Sequence, residues 1–256
     1  MRKIIISGCC GHMGRVVANI CNDDPEVEIA AGIDLLAQPM EGFPVFSTPA
    51  ACTVEADAVI DFSHPATLGP LLEFCVSKKL PVVLATTGYS EEQLAQITEA
   101  AQSIPVFRSA NMSLGINVLM DLVRRAAALL GEDFDVEIEE RHHRRKLDAP
   151  SGTALMLADA AASALPYETE YVYDRHSVRK PRDKREIGIS SLRGGTIVGE
   201  HTVVFAGRDE VVEISHHAAS REVFAVGAVK AAKFLAGVDA PGLYDMSHLI
   251  EADKVN

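Results

Sequence analysis

Short apolar runs rich in β-branched residues alternate with longer stretches of helical periodicity over the first half of the chain. Helical patterns occupy 15–21 and 68–78, and a third follows Ser90, which forms a capping box with Gln93. The strand-like runs lie at 3–7, 27–34, 56–62, 81–86 and 105–108. Repeated strand–helix units with short connections predict an α/β fold with a doubly wound parallel sheet.

The pattern changes after Gly115. Residues 116–130 and 151–165 have helical periodicity, and 136–140 is typical of a strand. From Glu186 onward, strand-like runs separated by glycines predict a meander in an antiparallel or mixed sheet. We expect a mobile charged loop at 168–184, a final helix at 221–235, and a tail that packs back on the first domain.

Composition narrows the class of protein. The chain has 256 residues, a formal net charge of −12 and a pI near 5.2, so a broad basic surface for nucleic acid is not expected. No apolar run has the length of a membrane span, and the first apolar run is followed by a glycine turn rather than a cleavage pattern. The five cysteines lack CxxC spacing, which favours reduced thiols and a cytoplasmic location.

Gly8, Gly11 and Gly14 follow the first strand and open a helix. Glycine permits the tight turn and lets backbone amides approach a pyrophosphate, although the GxxGxxG spacing is one residue off the usual GxGxxG. A purely structural strand–turn–helix would explain the glycines alone. Asp34 ends the second strand, where an acid accepts hydrogen bonds from an adenosine ribose, and the combination predicts dinucleotide binding.

The residues after Asp34 bear on the choice of cofactor. Leu35 follows directly, and 36–39 contain no Arg or Lys to pair with a 2′-phosphate. We therefore predict that NADH is preferred over NADPH. The polar segments Thr86-Thr87-Gly88 and Ser109-Ala110-Asn111 also follow strands, at the edge where such sheets bind ligands, although ordinary loop polarity would explain each one taken singly.

The segment EERHHRRKLDAPSGTA, residues 139–154, is basic against the acidic trend of the chain. His142 and His143 suit proton transfer, and if the strand continued they would point to opposite faces, so either both lie on a loop or only one faces a ligand. A solvated charge run with incidental histidines is the alternative. Ser151 is a predicted N-cap, and the amides of Gly152 and Thr153 behind it suit a carboxylate. Histidines among cations make a poor metal site, so no metal is predicted.

These residues resemble the 4-hydroxy-tetrahydrodipicolinate reductase (dihydrodipicolinate reductase) family, whose signature E-x-H-H-x-x-K-x-D-A-P-S-G-T-A matches 140–154 without a break. GxxGxMG at 8–14, TTG at 86–88, IVGEHTVVF at 197–205 and GLYDM at 242–246 also match. The resemblance implies a Rossmann-like domain, residues 1–113 and 222–256, and a smaller α+β domain with a mixed sheet, residues 114–221, for substrate binding and oligomerisation. It also implies a homotetramer.

The implied reaction is the NAD(P)H-dependent reduction of 4-hydroxy-tetrahydrodipicolinate, through dihydrodipicolinate, to tetrahydrodipicolinate in diaminopimelate and lysine biosynthesis. The resemblance gives His142 and Lys146 the proton-transfer positions, and His143, Gly152 and Thr153 the substrate-carboxylate positions. The implied nucleotide positions are Gly8, Cys9, Cys10, Gly11, His12, Met13, Asp34, Ala85, Thr86, Thr87, Ser109, Ala110, Asn111 and Met112. Ala85 stands where the family often has Gly, and Leu35 where some members have Arg after the acid.

Two other functions remain open on the sequence. A related reductase, such as an aspartate or homoserine dehydrogenase, would share the glycine turn but not the His-His-x-x-Lys segment. A regulator that binds NAD(H) without turnover would not need His142 and Lys146 beside an anion site.

Overall fold

Two β-sheets organise the chain in the computed structural model, which describes residues 1–253. Residues 254–256, the end of the predicted dinucleotide-binding domain, lie outside the described residues. The chain divides into a first unit, Met1–Ser113 with the segment from Glu222 onward, and a second unit, Leu114–Arg221.

The strands are β1 Arg2–Ser7, β2 Val27–Ile33, β3 Val45–Phe46, β4 Ala58–Asp61, β5 Val82–Leu84, β6 Pro105–Arg108, β7 Asp135–His142, β8 Glu170–Val172, β9 Glu186–Arg193, β10 Gly199–Ala206, β11 Val211–Ala218 and β12 Gly242–Tyr244. The helices are α1 His12–Asp23, α2 Leu68–Lys78, α3 Glu91–Ala100, α4 Leu114–Leu130, α5 Gly152–Ala162, α6 Glu222–Leu235 and α7 Met246–Asp253. No helix among the described residues is both long and apolar enough to cross a membrane.

The first unit contains a parallel sheet of seven strands in the order β12-β6-β5-β4-β1-β2-β3. Ile4, Ile5 and Ile6 of β1 are fully buried, because α2 and α3 cover one face of the sheet and α1 and α6 pack on the other. Burial on both faces removes the alternation of apolar and polar residues, so the continuous apolar runs in the sequence are explained. The predicted doubly wound sheet is confirmed.

The second unit has a sheet in the order β11-β10-β7-β9-β8. Alternate residues of β7 are buried, Val136, Ile138, Glu140 and His142, because α4 and α5 cover only one face. β7 is antiparallel to β10 and parallel to β9, so the predicted mixed sheet is confirmed. The predicted meander is wrong, since β7 lies between β9 and β10.

Two further predictions need correction. The charged segment 168–184 is not wholly a loop, because Glu170–Val172 pairs with β9 and Arg175 and Arg182 form ion pairs with Glu137. The helix at 221–235 is not the last element, since β12 and α7 follow it. β12 adds to the parallel sheet beside β6, so the expected return of the tail to the first unit is confirmed.

Gly227 of α6 shows how closely this helix approaches the loop after β6, because a Cβ on Gly227 would overlap the Met112 carbonyl oxygen. We predict that Gly227→Ala lowers the free energy of unfolding by about 2–3 kcal/mol, since backbone must move to admit the methyl group. Gly69→Ala is the matched control, because Gly69 is also helical and a Cβ there meets nothing within 4 Å. Chemical denaturation of both variants makes the comparison, and equal stabilities would contradict the packing described.

Candidate active site

The predicted nucleotide-binding residues of the first unit lie along one edge of its parallel sheet. Gly8 follows β1, Asp34 follows β2, Ala85 follows β5 and Ser109 follows β6. These strands run in the same direction with β4 among them, so their carboxyl ends form one edge. This edge is where doubly wound sheets bind ligands.

The glycine turn between β1 and α1 has little room for side chains. Gly8 has φ +79° and a Cβ there would lie 2.6 Å from the Phe62 carbonyl oxygen. A Cβ on Gly14 would overlap the Gly8 carbonyl oxygen, so α1 packs directly on the turn. Gly11 is the N-cap of α1 and supplies no side-chain acceptor, while His12 and Met13 form its first turn. The amides at the start of α1 therefore suit a phosphate group.

Asp34 is tied to the glycine turn by its carboxylate. Its oxygens accept hydrogen bonds from the backbone amides of Cys10 and Leu36, each at 3.0 Å. Arg15 lies against the same loop, with Nε 3.0 Å from the Cys10 carbonyl oxygen and Nη2 3.5 Å from Gln38. The sequence pattern identified Asp34 but missed this cation, because Arg15 lies on α1 and not in the segment that follows Asp34 in the chain.

Cys9, Cys10 and Asp34 bring two thiols and a carboxylate together, with potential ligand atoms all within 4.8 Å of one another. Burial, followed by the neighbouring Cys10, raises the pKa of Cys9 to about 12. The positive end of α1 and the Arg15 guanidinium disfavour a cation here. That the chain binds no metal stays a prediction.

Asp61 is a buried carboxylate at the end of β4 that the sequence pattern did not single out. It accepts hydrogen bonds from the hydroxyls of Thr86 at 2.7 Å and Ser63 at 2.5 Å. Burial raises the pKa of Asp61, and these hydroxyls, with that of Ser7, partly oppose the rise. Asp61 thus orients Thr86, while Thr87 next to it is exposed.

The segment after β6 carries the remaining nucleotide candidates. The Ser109 hydroxyl donates to the Asn111 carbonyl oxygen at 2.9 Å, and the Asn111 side chain accepts from the Ser113 amide at 2.8 Å. Met112 is buried under α6, whereas Ala110 is exposed. Ala110 therefore has the exposed side chain of this segment, and that of Ser109 is half-buried.

In the second unit, His142 ends β7 on its buried face and His143 follows the strand. The two histidines are therefore not both on a loop, and their rings lie in different environments. His142 Nδ1 lies 2.6 Å from the Glu140 carboxylate, which is fully buried two residues earlier on the same face. Burial lowers the pKa of His142, as do Lys146 and Arg193, while Glu140 opposes the decrease.

His143 is held by Arg221. The guanidinium donates to His143 Nε2 at 3.1 Å, and because Arg has only donors, the hydrogen of the neutral His143 ring is on Nδ1. Nδ1 is buried and has no hydrogen-bond partner among the described residues. A buried donor without an acceptor costs free energy, so His143 is suited to a ligand acceptor such as a carboxylate oxygen.

Lys146 and the start of α5 complete the cluster. Lys146 Nζ lies 2.9 Å from the Asp148 carboxylate, and only 21 % of its side chain is exposed. Ser151 is the N-cap of α5, as predicted, and accepts a hydrogen bond from the Ala154 amide. Gly152 is exposed and a Cβ there would meet nothing within 4 Å, so a ligand can approach the helix start closely.

The comparisons with known proteins cover both units. A family model for the N-terminus of dihydrodipicolinate reductase matches residues 2–112, and one for the C-terminus matches residues 115–250. The chain belongs to the dihydrodipicolinate reductase family. The expected oxidoreductase function, the reduction step of diaminopimelate and lysine biosynthesis, is thereby confirmed.

Members of this family match the chain over almost its whole length. The 4-hydroxy-tetrahydrodipicolinate reductase of Caldanaerobacter subterraneus subsp. tengcongensis is 55 % identical over 98 % of this chain and 99 % of its own. That of Clostridium tetani is 48 % identical over 98 % of both chains. A solved structure, the dipicolinate-bound dihydrodipicolinate reductase from Paenisporosarcina sp. TG-14, is 25 % identical, with a TM-score of 0.79 over 96 % of this chain and 97 % of that one.

Residues on distant strands of the second unit contact the candidates and were not predicted from the sequence. Arg193 on β9 pairs with Glu140, and His201 on β10 lies edge-on to His142 with ring centroids 5.2 Å apart. His201 Nε2 is 3.0 Å from the Ser151 hydroxyl. Their separation in the chain hides these contacts, and the only sequence signal was His201 within the matching IVGEHTVVF segment.

His201 generates a prediction about stability against pH. Burial, with a smaller effect from His142, lowers the pKa of His201 to about 4. Because the unfolded chain binds this proton first, the contribution of His201 to stability is full above pH of about 6.5 and decreases as pH falls toward 4. Between pH 7.5 and 5 we expect the free energy of unfolding to fall by about 2 kcal/mol more in the wild type than in His201→Gln.

Chemical denaturation at the two pH values measures this difference. His217→Gln is the control, because 62 % of the His217 side chain is exposed. His217 is adjacent in the chain to His216, which is paired with His201 across the strands. Equal losses in the wild type and in His201→Gln would show that His201 titrates normally.

Proposed function

We propose that this reductase converts dehydrated 4-hydroxy-tetrahydrodipicolinate to tetrahydrodipicolinate with NADH as the preferred cofactor and NADPH as the second. The observation that carries the proposal is the cluster at the end of β7, where proton-holding side chains, Lys146 and His142, adjoin groups suited to carboxylates. The first unit, residues 1–113 and 222–256, is assigned to the dinucleotide, and the second, residues 114–221, to substrate binding and oligomerisation.

The glycine turn fits a dinucleotide on its own geometry, since it combines a positive φ at Gly8, close packing at Gly14 and an N-cap without a side-chain acceptor. We assign the pyrophosphate to the turn from Gly8 to Met13 and the ribose to Asp34. Ala85, Thr86 and Thr87 and the segment Ser109–Met112 are assigned to the nicotinamide half, because they lie at the ends of β5 and β6 on the same edge. When bound, the cofactor supplies a hydride.

The substrate is a small dicarboxylate, as is the dipicolinate bound by the Paenisporosarcina relative. His143 offers Nδ1–H, a buried donor without an acceptor among the described residues, to one carboxylate. The exposed start of α5 at Gly152, with Thr153 after it, is assigned to a carboxylate, and charge-assisted hydrogen bonds there are worth about 1.5–3 kcal/mol each. Pyridine-2,6-dicarboxylate is accordingly a suitable unreactive probe of this site.

Lys146 and His142 are assigned to proton transfer. As hydride enters the ring, negative charge develops on it, and the Lys146 ammonium lowers the free energy of that charge. His142 Nε2 is the ring nitrogen available for transfer, because Nδ1 is engaged by Glu140. Asp148, which contacts Lys146 at 2.9 Å, orients the ammonium.

We also propose a homotetramer in the cytoplasm. The second sheet exposes apolar side chains on β9 and β11, with Leu192 46 %, Val211 58 % and Val212 37 % exposed, which is costly in a monomer. The five cysteines are free, in keeping with a reducing compartment.

We predict that Lys146→Ala lowers kcat by about 100-fold or more, because both the proton and the charge stabilisation are removed. The KM for NADH should change little. The assay follows NADH oxidation at 340 nm with the product of dihydrodipicolinate synthase as substrate, and Arg144→Ala is the exposed neighbouring control. Turnover of Lys146→Ala near that of Arg144→Ala would remove Lys146 from the mechanism.

We predict a larger kcat/KM with NADH than with NADPH, because the Asp34 carboxylate repels a 2′-phosphate. Asp34→Asn should shift the ratio toward NADPH, while Arg15→Ala should lower kcat/KM mainly for NADPH, since Arg15 is the cation beside that loop. Initial rates with both cofactors give the ratios. A wild type that favours NADPH would refute the preference.

A further inference from the structure

Glu140 is a fully buried carboxylate that gathers donors from three parts of the second unit. Arg193 on β9 binds it through both terminal nitrogens at 2.7 Å, and His142 Nδ1 lies at 2.6 Å. The backbone amide of Ser151, the N-cap of α5, donates to it at 3.0 Å. Burial alone would raise the pKa of Glu140, but the bonds from Arg193 and His142 outweigh it and lower the pKa to about 2.

The ionised carboxylate fixes the tautomer of His142. A carboxylate without a proton only accepts hydrogen bonds, so Nδ1 of His142 must carry the hydrogen. Nε2 of the neutral ring is then an acceptor, and it faces Gly199, where a Cβ would lie 3.0 Å away. A wider residue at 199 would crowd the nitrogen that exchanges the proton.

The same carboxylate also fixes the helix start. Its second oxygen receives the Ser151 amide immediately before Gly152 and Thr153, the residues assigned to a substrate carboxylate. Arg193 extends the network toward Lys146, because its Nη2 also donates to the Asp148 carbonyl oxygen at 2.6 Å. The Glu140 carboxylate therefore contacts His142 and the N-cap of α5 directly, and it is joined to Asp148 through Arg193.

We propose that Glu140, clamped by Arg193, is a positioning residue that selects the reactive tautomer of His142 and aligns the proton-transfer group with the carboxylate-binding start of α5. This inference rests on the proposed function for its kinetic consequences. Glu140 touches no substrate, and it acts through His142 and Ser151. A merely structural role, the pairing of Arg193, would affect stability when Glu140 is replaced but would leave the tautomer of His142 unchanged.

The variant Glu140→Gln separates charge from shape, because glutamine is neutral but has nearly the size of glutamate. It also has one acceptor oxygen instead of two. The charged and titratable groups facing His142 are Glu140 on its own strand, Arg193 from β9, His201 from β10, and Lys146 from the following loop. Without the Glu140 charge only cations and a neutral ring remain, so protonated His142 becomes less stable. Glu139→Gln is the matched control, since Glu139 is the adjacent residue on the opposite face, 44 % exposed and paired with Arg141.

Imidazole ¹⁵N NMR of His142 provides a readout that needs no turnover. We expect wild type and Glu139→Gln to show the Nδ1–H tautomer when neutral, and Glu140→Gln to show a mixture with Nε2–H and to titrate at lower pH. In the 340 nm assay, Glu140→Gln should lower kcat at least about tenfold and move the His142 limb of the pH profile to lower pH, while the KM for NADH is unchanged.

An unchanged tautomer and titration of His142 in Glu140→Gln would overturn the proposal. If Glu140→Gln does not fold, the wild-type spectrum decides alone, because an Nε2–H tautomer there contradicts the role given to Glu140. A wild type that shows the Nδ1–H tautomer but does not reduce the substrate would refute the proposed function and leave the assignment of the tautomer standing.

Discussion

Burying a carboxylate without hydrogen-bond donors costs a large free energy. Glu140 is fully buried, and the second unit brings donors to it from several elements. Removing one partner of such a buried pair typically costs about 3–5 kcal/mol, so the sequence is not free to change Arg193 and Glu140 separately. β9 must run beside β7 for Arg193 to reach the carboxylate, and α5 must begin where the Ser151 amide meets it. The parallel pairing of these two strands, which interrupts a simple meander, is the topology that brings the charges together.

The first unit depends on a different constraint, the common direction of its strands. Because β1, β2, β4, β5 and β6 all end at one edge, short loops far apart in the chain are neighbours there. Glycines at the first loop permit close backbone packing, and Asp61 and Asp34 tie the adjoining loops to this edge through hydroxyls and amides. The two units thus use buried carboxylates in different ways: Asp61 holds neutral hydroxyls, whereas Glu140 holds a cation and a histidine.

Patterns local in sequence were the ones that could be predicted. Five strands of the parallel sheet and the N-caps Ser90 and Ser151 follow from periodicity, capping chemistry and turn residues. β3 and β12, with two and three residues, carry too little pattern to be recognised and are defined by their neighbours. Strand order within the second sheet depends on long-range pairing, which is why the meander was wrong.

The residues of the candidate site also differ in whether they are close together in the sequence. His142, His143, Lys146 and Gly152 stand within one short segment and were found together. Arg193 and His201 lie 41 or more positions after Gly152 in the chain, so only the sheet reveals that they share the cluster. Arg15 was missed for a related reason, since its guanidinium reaches the Asp34 loop from a helix.

The most direct test of the central claim, that the end of β7 and the start of α5 form one dicarboxylate site, is amide and imidazole NMR during titration with pyridine-2,6-dicarboxylate. The account predicts that the amides of Gly152 and Thr153 and the ring of His143 shift together along one binding curve. Binding that leaves these three signals unmoved, or that shifts them with unrelated affinities, would contradict it.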